Sequence, residues 1–204
     1  MNYILLDTEF NQYKNIQEII QLSAIKLVLE DNIIRTDSFF NKYIRPKKGK
    51  ILTPYIKKKT KILQSDIDKA QNFDETIYDF RNWIGEEYIL LGWSMADKKE
   101  LIRNSELHKL SHKWVQKYIN LQAHYTSMIK DKLEIEEHLK PLICFKSEFG
   151  LATTIQYEKM EFSGQPHNAL SDSINMTKIF YKHLNEWTFM SKKTHTSLHK
   201  IKDD

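Results

Sequence analysis

The sequence predicts an α/β sandwich around a mixed sheet of about five strands. Two observations carry this. Three apolar runs open the chain and are short enough for strands, and turn chemistry lies between the second and third. From Asp74 onward, apolar residues at helical spacing alternate with short strand-like runs, which is the pattern of helices packed on a sheet.

Taken in order, Tyr3 to Asp7 is a short apolar run ending in an acid, Ile19 to Leu29 is longer and rich in Ile and Leu, and Ile33 to Ile44 is the third. Asp31-Asn32 favours a turn, so the second and third strands read as an antiparallel hairpin or meander. Arg45-Pro46 closes the third strand, because proline has no N–H to give to a ladder. The lysine-rich stretch that follows reads as a surface excursion with short helical pieces. Ile77, Phe80 and Ile84, with Trp83 beside them, repeat every three to four residues and mark an amphipathic helix. Tyr88 to Leu91 returns to strand, and Gly92 breaks it. Asp97 opens a helical stretch carrying Leu101, Ile102 and Leu107, and Tyr118 to Leu121 is the fifth strand. Ser147 to Tyr157 and Ala169 to Leu184 close the chain as helices, the last with Leu170, Ile174, Ile179 and Phe180 for a buried face. One domain is expected over residues 1–185. Residues 186–204, with Lys192, Lys193, His195 and His199, form a basic tail, either helical or disordered.

The 204 residues, 41% of them apolar, suffice for one well-buried domain and do not comfortably supply two. A net charge of +4 permits nucleic-acid binding without requiring it. The one cysteine, Cys144, cannot form an intramolecular disulfide, and the N-terminus carries an acid where a secretion signal needs a long apolar core. The expectation is a reduced, cytoplasmic chain. No run is long and apolar enough for a membrane helix, and five glycines form neither a GxGxxG nor a GxxxxGK[ST] phosphate loop.

The chemistry concentrates at segment junctions. Asp7 and Glu9 are two residues apart at the end of the first strand, so both side chains leave the same face of the sheet. Two carboxylates so close repel unless a cation lies between them. Alone, the pair also reads as a solvated sheet edge. Asp97 follows a strand through a glycine turn, at the C-terminal end of that strand where α/β sheets bind ligands, although a helix N-cap is the plainer reading. His167 follows Gly164-Gln165-Pro166, and Asp172 lies about one helical turn into the last helix. Converging carboxylates with a neutral histidine suit phosphodiester hydrolysis on hard divalent ions.

These residues also carry a resemblance. Asp7-Thr8-Glu9-Phe10, the central Asp97 and His167-Asn168-Ala169-Leu170-Ser171-Asp172 resemble the three motifs of the DEDDh, or DnaQ-like, 3′-to-5′ exonucleases, whose fold is an RNase H-like three-layer sandwich. Trp93-Ser94-Met95-Ala96-Asp97 stands where many proofreading members carry a His-Asn pair. Together with Glu18 to Leu27, Tyr118 to Leu121, Gly150-Leu151 and Phe162 to His167, it is similar to the histone-mRNA and small-RNA exonuclease subgroup. The resemblance spans residues 1–185. It implies that Asp7, Glu9, Asp97 and Asp172 hold two Mg²⁺ or Mn²⁺ ions, that His167 is the general base, and that single-stranded 3′ ends are cut to nucleoside 5′-monophosphates. RNA is favoured over DNA as substrate. The alternatives are a DNA-directed proofreading or repair exonuclease, and an inactive binding module of the same fold.

Thr8, Phe10 and Trp93 are candidate substrate contacts beside those acids, although Phe10 and Trp93 also read as core. Residues 46–61 contain seven lysines, of which Lys57 and Lys58 are candidate phosphate contacts; a solvated lysine face is the alternative. His108 and His112, four apart, could share a zinc ion, but no Cys and no HExxH-type acid accompanies them.

Overall fold

The computed structural model describes residues 1–31, 33–132 and 149–190. Asn32, Cys144, Ser147 and the basic residues from Lys192 to His199 lie outside them. Three long strands come first: β1 (Asn2–Tyr13), β2 (Ile16–Glu30) and β3 (Ile33–Arg45). They form an antiparallel meander. The β1–β2 turn places Lys14 at φ 52°, and Asp31 after β2 has φ 50°. Helix α1 (Pro54–Thr60) and helix α2 (Gln64–Lys69) make up the lysine-rich excursion. The two-residue strand β4 (Gln71–Asn72), helix α3 (Phe73–Ile84), strand β5 (Tyr88–Gly92) and helix α4 (Met95–Leu107) follow. Strand β6 (Tyr118–Asn120) runs directly into helix α5 (Leu121–Lys132), and α6 (Leu151–Tyr157) and α7 (Ala169–Lys182) end the described part.

The sheet order is β4-β3-β2-β1-β5-β6, with β5 and β6 parallel to β1. The mixed sheet thus has six strands, β4 being a stub against the end of β3.

Two apolar layers sandwich the sheet. Tyr3 and Leu5 of β1 pack with Tyr125 of α5, Ile155 of α6, and Met176, Ile179 and Phe180 of α7. Ile4 and Leu6, alternating to the other face, pack with Ile77 and Phe80 of α3 and Leu101 of α4. Each such side chain, fully buried, contributes about 1.5–3 kcal/mol of transfer free energy. Helix α3 starts at a capping box, in which Asn72 accepts from the Glu75 N–H and Glu75 accepts from the Asn72 N–H.

The packed core runs past residue 185 into the stretch expected as tail. Trp187 stacks on Phe180 with ring centroids 5.9 Å apart, and its Nε1–H donates to the Phe180 carbonyl. Among the described residues no helix is long and apolar enough to cross a membrane.

Candidate active site

Strands β1 and β5 pair only as far as Leu5 and Leu91, so beyond Leu5 the β5-facing edge of β1 is free. Asp7 and Glu9 continue the Tyr3 and Leu5 face into that gap. Thr8 points to the other face. Its backbone N–H has no β5 partner and donates instead to Asp97 Oδ1 at 3.0 Å, and its hydroxyl donates to the same oxygen at 2.8 Å. Asp97 sits in the first turn of α4 and does not cap it; the cap is Ser94, which accepts from the Ala96 N–H. The Asp97 carboxylate is thereby fixed across the gap from Asp7.

Asp172 comes from α7, on the stripe that carries Met176, Ile179 and Phe180 into the core. The N-terminus of α7 is tied to the sheet: Gln21 of β2, opposite Glu9, accepts from the Ala169 N–H, and Ser173 donates to the Ser23 carbonyl. Asn168 caps the helix. Before it, His167 has a left-handed backbone, φ 64°, and its N–H donates to Asp172 Oδ2 at 3.1 Å. The 163–167 loop is held by Asn175, which bonds both the Ser163 N–H and carbonyl, and by Ser171, which accepts from the Gln165 N–H. Gly164 is required there: φ is 75°, and a Cβ would stand 2.3 Å from Ser171 Oγ.

Ligand atoms of Glu9, His167 and Asp172 lie within 4.8 Å of one another. Glu9, Asp97 and Asp172 keep only 6%, 5% and 9% of their surface. A cleft of about 330 Å³ opens over Asp7, Trp93, Asp97, Phe162, His167 and Asp172. A larger one, about 660 Å³ at Tyr78, Arg81 and Tyr88, lies at the opposite end of β5, away from the acids.

The electrostatics follow from burial. Burial, then Asp97, Asp172 and Glu9, hold the Asp7 carboxyl well above the usual carboxylate range. Burial is also the main cause that raises Glu9 to about 7, and Asp97 and Asp172 to about 6. His167 is lowered, first by burial and then by the Lys59 ammonium. Lys59 also opposes the upward shifts of Asp7, Glu9 and Asp172.

The five expected residues of the site therefore converge, and the expected substrate contacts divide. Thr8 is buried and gives its hydroxyl to Asp97, so it is a support for that carboxylate. Trp93 lines the cleft but is a core residue too, donating through Nε1 to the Phe149 carbonyl at 2.9 Å. Phe10 is half-buried and joins none of the three apolar clusters. Lys57 and Lys58 face solvent on α1, and it is the half-buried Lys59 whose charge reaches the acids. His108 follows the end of α4, bonds Asp74 and packs on Phe73, whereas His112 faces Glu106; the two do not form a shared site.

Sequence reasoning also missed what fixes the lysine-rich excursion. The buried Glu18 carboxylate accepts from the backbone N–H groups of Lys47, Lys48 and Gly49. Asn11 bonds the Gly49 and Ile51 carbonyls and the Thr53 N–H. The β1–β2 register shifts after Glu9, leaving Ile20 as an extra residue that packs with Leu52, Ile56, Ile62 and Ile67 beneath α1. The only sequence sign of this was a buried-type run containing an acid.

The sequence profile of the RNase_T family, described as Exonuclease, matches residues 4–180. The chain belongs to this exonuclease family. The 3′-5′ exonuclease crn-4 of Caenorhabditis elegans is 26% identical over 176 residues, 82% of this chain and 56% of its own length. The 3′-5′ exoribonuclease 1 of Mus musculus is 24% identical over 187 residues, 87% of this chain and 50% of its own. The exonuclease chain thus spans about half the length of these curated relatives. Among solved structures, cell-death related nuclease 4 superposes with a TM-score of 0.77 at 23% identity, covering 90% of this chain and 64% of that one. The nuclease domain of 3′hExo, a DEDDh family member bound to rAMP, superposes with a TM-score of 0.74 at 21% identity, covering 91% and 92%. The six-stranded mixed sheet between helices is the RNase H-like fold of these neighbours.

Proposed function

We propose that this exonuclease domain removes nucleotides from the 3′ end of single-stranded RNA, in preference to DNA, and releases nucleoside 5′-monophosphates. The observation that carries the reading is the convergence of Asp7, Asp97, Asp172 and His167 on one cleft, with a Glu9 oxygen within 4.8 Å of ligand atoms of His167 and Asp172. The RNA preference is supported by relatives named as exoribonucleases. The single cysteine fits a reducing, cytoplasmic setting.

The donor set fits hard divalent cations: carboxylates from three elements, mostly buried, each holding protons more tightly than usual, chiefly because burial disfavours the charged form. Asp7, Glu9, Asp97 and Asp172 would hold two Mg²⁺ or Mn²⁺ ions. Bound there, such ions supply Lewis-acid stabilisation of phosphate oxygens. His167 does the proton chemistry. Lowered below its usual value, it is neutral near pH 7 and accepts the proton of the attacking water on an imidazole nitrogen. Phe10 offers its ring to the terminal base.

The test follows 5′-labelled single-stranded RNA and DNA of equal sequence on denaturing gels, with Mn²⁺, Mg²⁺ or EDTA. Expected are ladders shortening from the 3′ end, faster for RNA, absent with EDTA and absent in Asp7→Ala, whose circular dichroism stays native. Intact substrate that shifts on a native gel would replace the enzyme with a binding module. Faster loss of DNA would move the assignment to DNA.

A further inference from the structure

We propose that Lys59 contacts the phosphate of the bound nucleotide and acts on it as a fixed cationic group. The proposal rests on the exonuclease reading above. Its grounds lie in how α1 is built and where it stands.

Lys57, Lys58 and Lys59 are consecutive, so on a helix they fan around the axis and cannot share one environment. Thr53 caps α1, and Ile56 and Thr60 are buried beneath it. That rotation leaves Lys57 and Lys58 in solvent and Lys59 half-buried, with its charge reaching Asp7, Glu9 and Asp172. The helix cannot roll freely: Ile56 packs with Ile20, Leu52, Ile62 and Ile67, and Glu18 and Asn11 pin the preceding loop. A second tie joins α1 to the histidine loop, the Gln165 side-chain amide donating to the Lys59 carbonyl at 3.4 Å.

Among the described residues, the Lys59 ammonium has no hydrogen bond and no ion pair, although its charge is felt by Asp7, Glu9, Asp172 and His167. A cation near three carboxylates yet in contact with none is placed for a ligand that enters between them, and the anionic part of a nucleotide is its phosphate. A fixed ammonium on a phosphate oxygen stabilises the charge that develops in hydrolysis.

The test compares Lys59→Met and Lys59→Arg with wild type, and with Lys42→Met, an exposed lysine of β3, as the charge control. Two readouts are taken. Under single-turnover conditions Lys59→Met should cleave about 100-fold more slowly, with Lys59→Arg partly restored and Lys42→Met unchanged. By calorimetry, nucleoside 5′-monophosphate should bind Lys59→Met about tenfold more weakly, while the nucleoside without phosphate binds both proteins equally. Wild-type cleavage that Lys59→Met matches, with unchanged monophosphate affinity, overturns the proposal and leaves the exonuclease reading intact. Equal loss of nucleoside and monophosphate binding also overturns it, since the lysine would then be shaping the cleft. Absence of cleavage in wild type, with EDTA-independent binding, defeats the exonuclease reading instead.

Discussion

Thr8 shows how one hydroxyl can govern a carboxylate that it does not accompany in sequence. It reaches Asp97 across 89 positions of chain and gives one carboxylate oxygen two donors. Thr8→Val removes the side-chain donor while keeping the shape and the backbone donor. Activity should fall about 10–100-fold with unchanged folding, and the Mn²⁺ concentration for half-maximal rate should rise. Wild-type rates at limiting Mn²⁺ would show that the backbone bond alone fixes Asp97. The acids and His167 were legible in the sequence because they stand where apolar runs stop or helices start, with a distinctive spacing, although Asp7 and Glu9 fall within β1 rather than at its end. The bond from Thr8 to Asp97 and the half-buried place of Lys59 were not legible. A threonine between two acids gives no sign of which way its hydroxyl turns, and one lysine among seven is singled out only by the rotation of a helix.

At the scale of elements, the junction of β5, α4 and β6 is the tightest place beside the site. Tyr118 of β6 reaches over Gly92 to donate to the Ser94 carbonyl at 2.6 Å, which steadies the turn presenting Asp97. A Cβ on residue 92 would stand 1.7 Å from the Tyr118 oxygen and 2.6 Å from its ring. Gly92→Ala should therefore lose about 1–3 kcal/mol in denaturant unfolding and lose activity as well. Adding Tyr118→Phe relieves only the closer contact, so partial recovery of stability is expected. Full stability in Gly92→Ala alone would mean that β6 shifts freely. Most elements were readable from periodicity, with strands extending past their apolar runs because β1 and β2 continue as a polar ribbon to Tyr13 and Ile16. Helix α5 was overlooked despite its stripe of Leu121, Tyr125 and Ile129. Thr126 and Ser127 are weak helix formers, and Leu121 was read as the end of the preceding strand.

For the molecule as a whole, stability depends on a polar knot behind the α5–α7 layer. Burial would raise Glu158, but hydrogen bonds from His183, Lys182 and Tyr125 outweigh it and hold it at about 2. Burial alone would lower His183, yet Glu158 and Glu186 hold it above its usual value. The depressed carboxylate stabilises the fold above its unfolded value of 4.5 and loses that contribution as pH falls toward 2. The raised histidine contributes fully below 6.5 and loses its contribution as pH rises through its folded value. Both are complete between 4.5 and 6.5. Glu158→Gln should cost about 3–5 kcal/mol in that window, and the deficit in melting temperature should shrink toward pH 9, where, among the described residues, Lys182 remains as its charged partner. A deficit independent of pH would show that His183 is neutral throughout. None of this knot was visible in the sequence. Its members come from α5, the ends of α6 and α7 and the residues just beyond, and only the three-dimensional packing joins them.

The Glu18 clamp has a consequence beyond the cleft. A chain segment with seven lysines should be the first place trypsin cuts, because cleavage needs several residues in extended form in the protease. Here the backbone that would have to unravel is bound by one buried carboxylate and one buried amide, and α1 sits on an apolar floor. The stretch is therefore rich in cleavage sites and poor in cleavable conformations, and its survival under protease reports on the Glu18 carboxylate, the Asn11 amide and the apolar floor together.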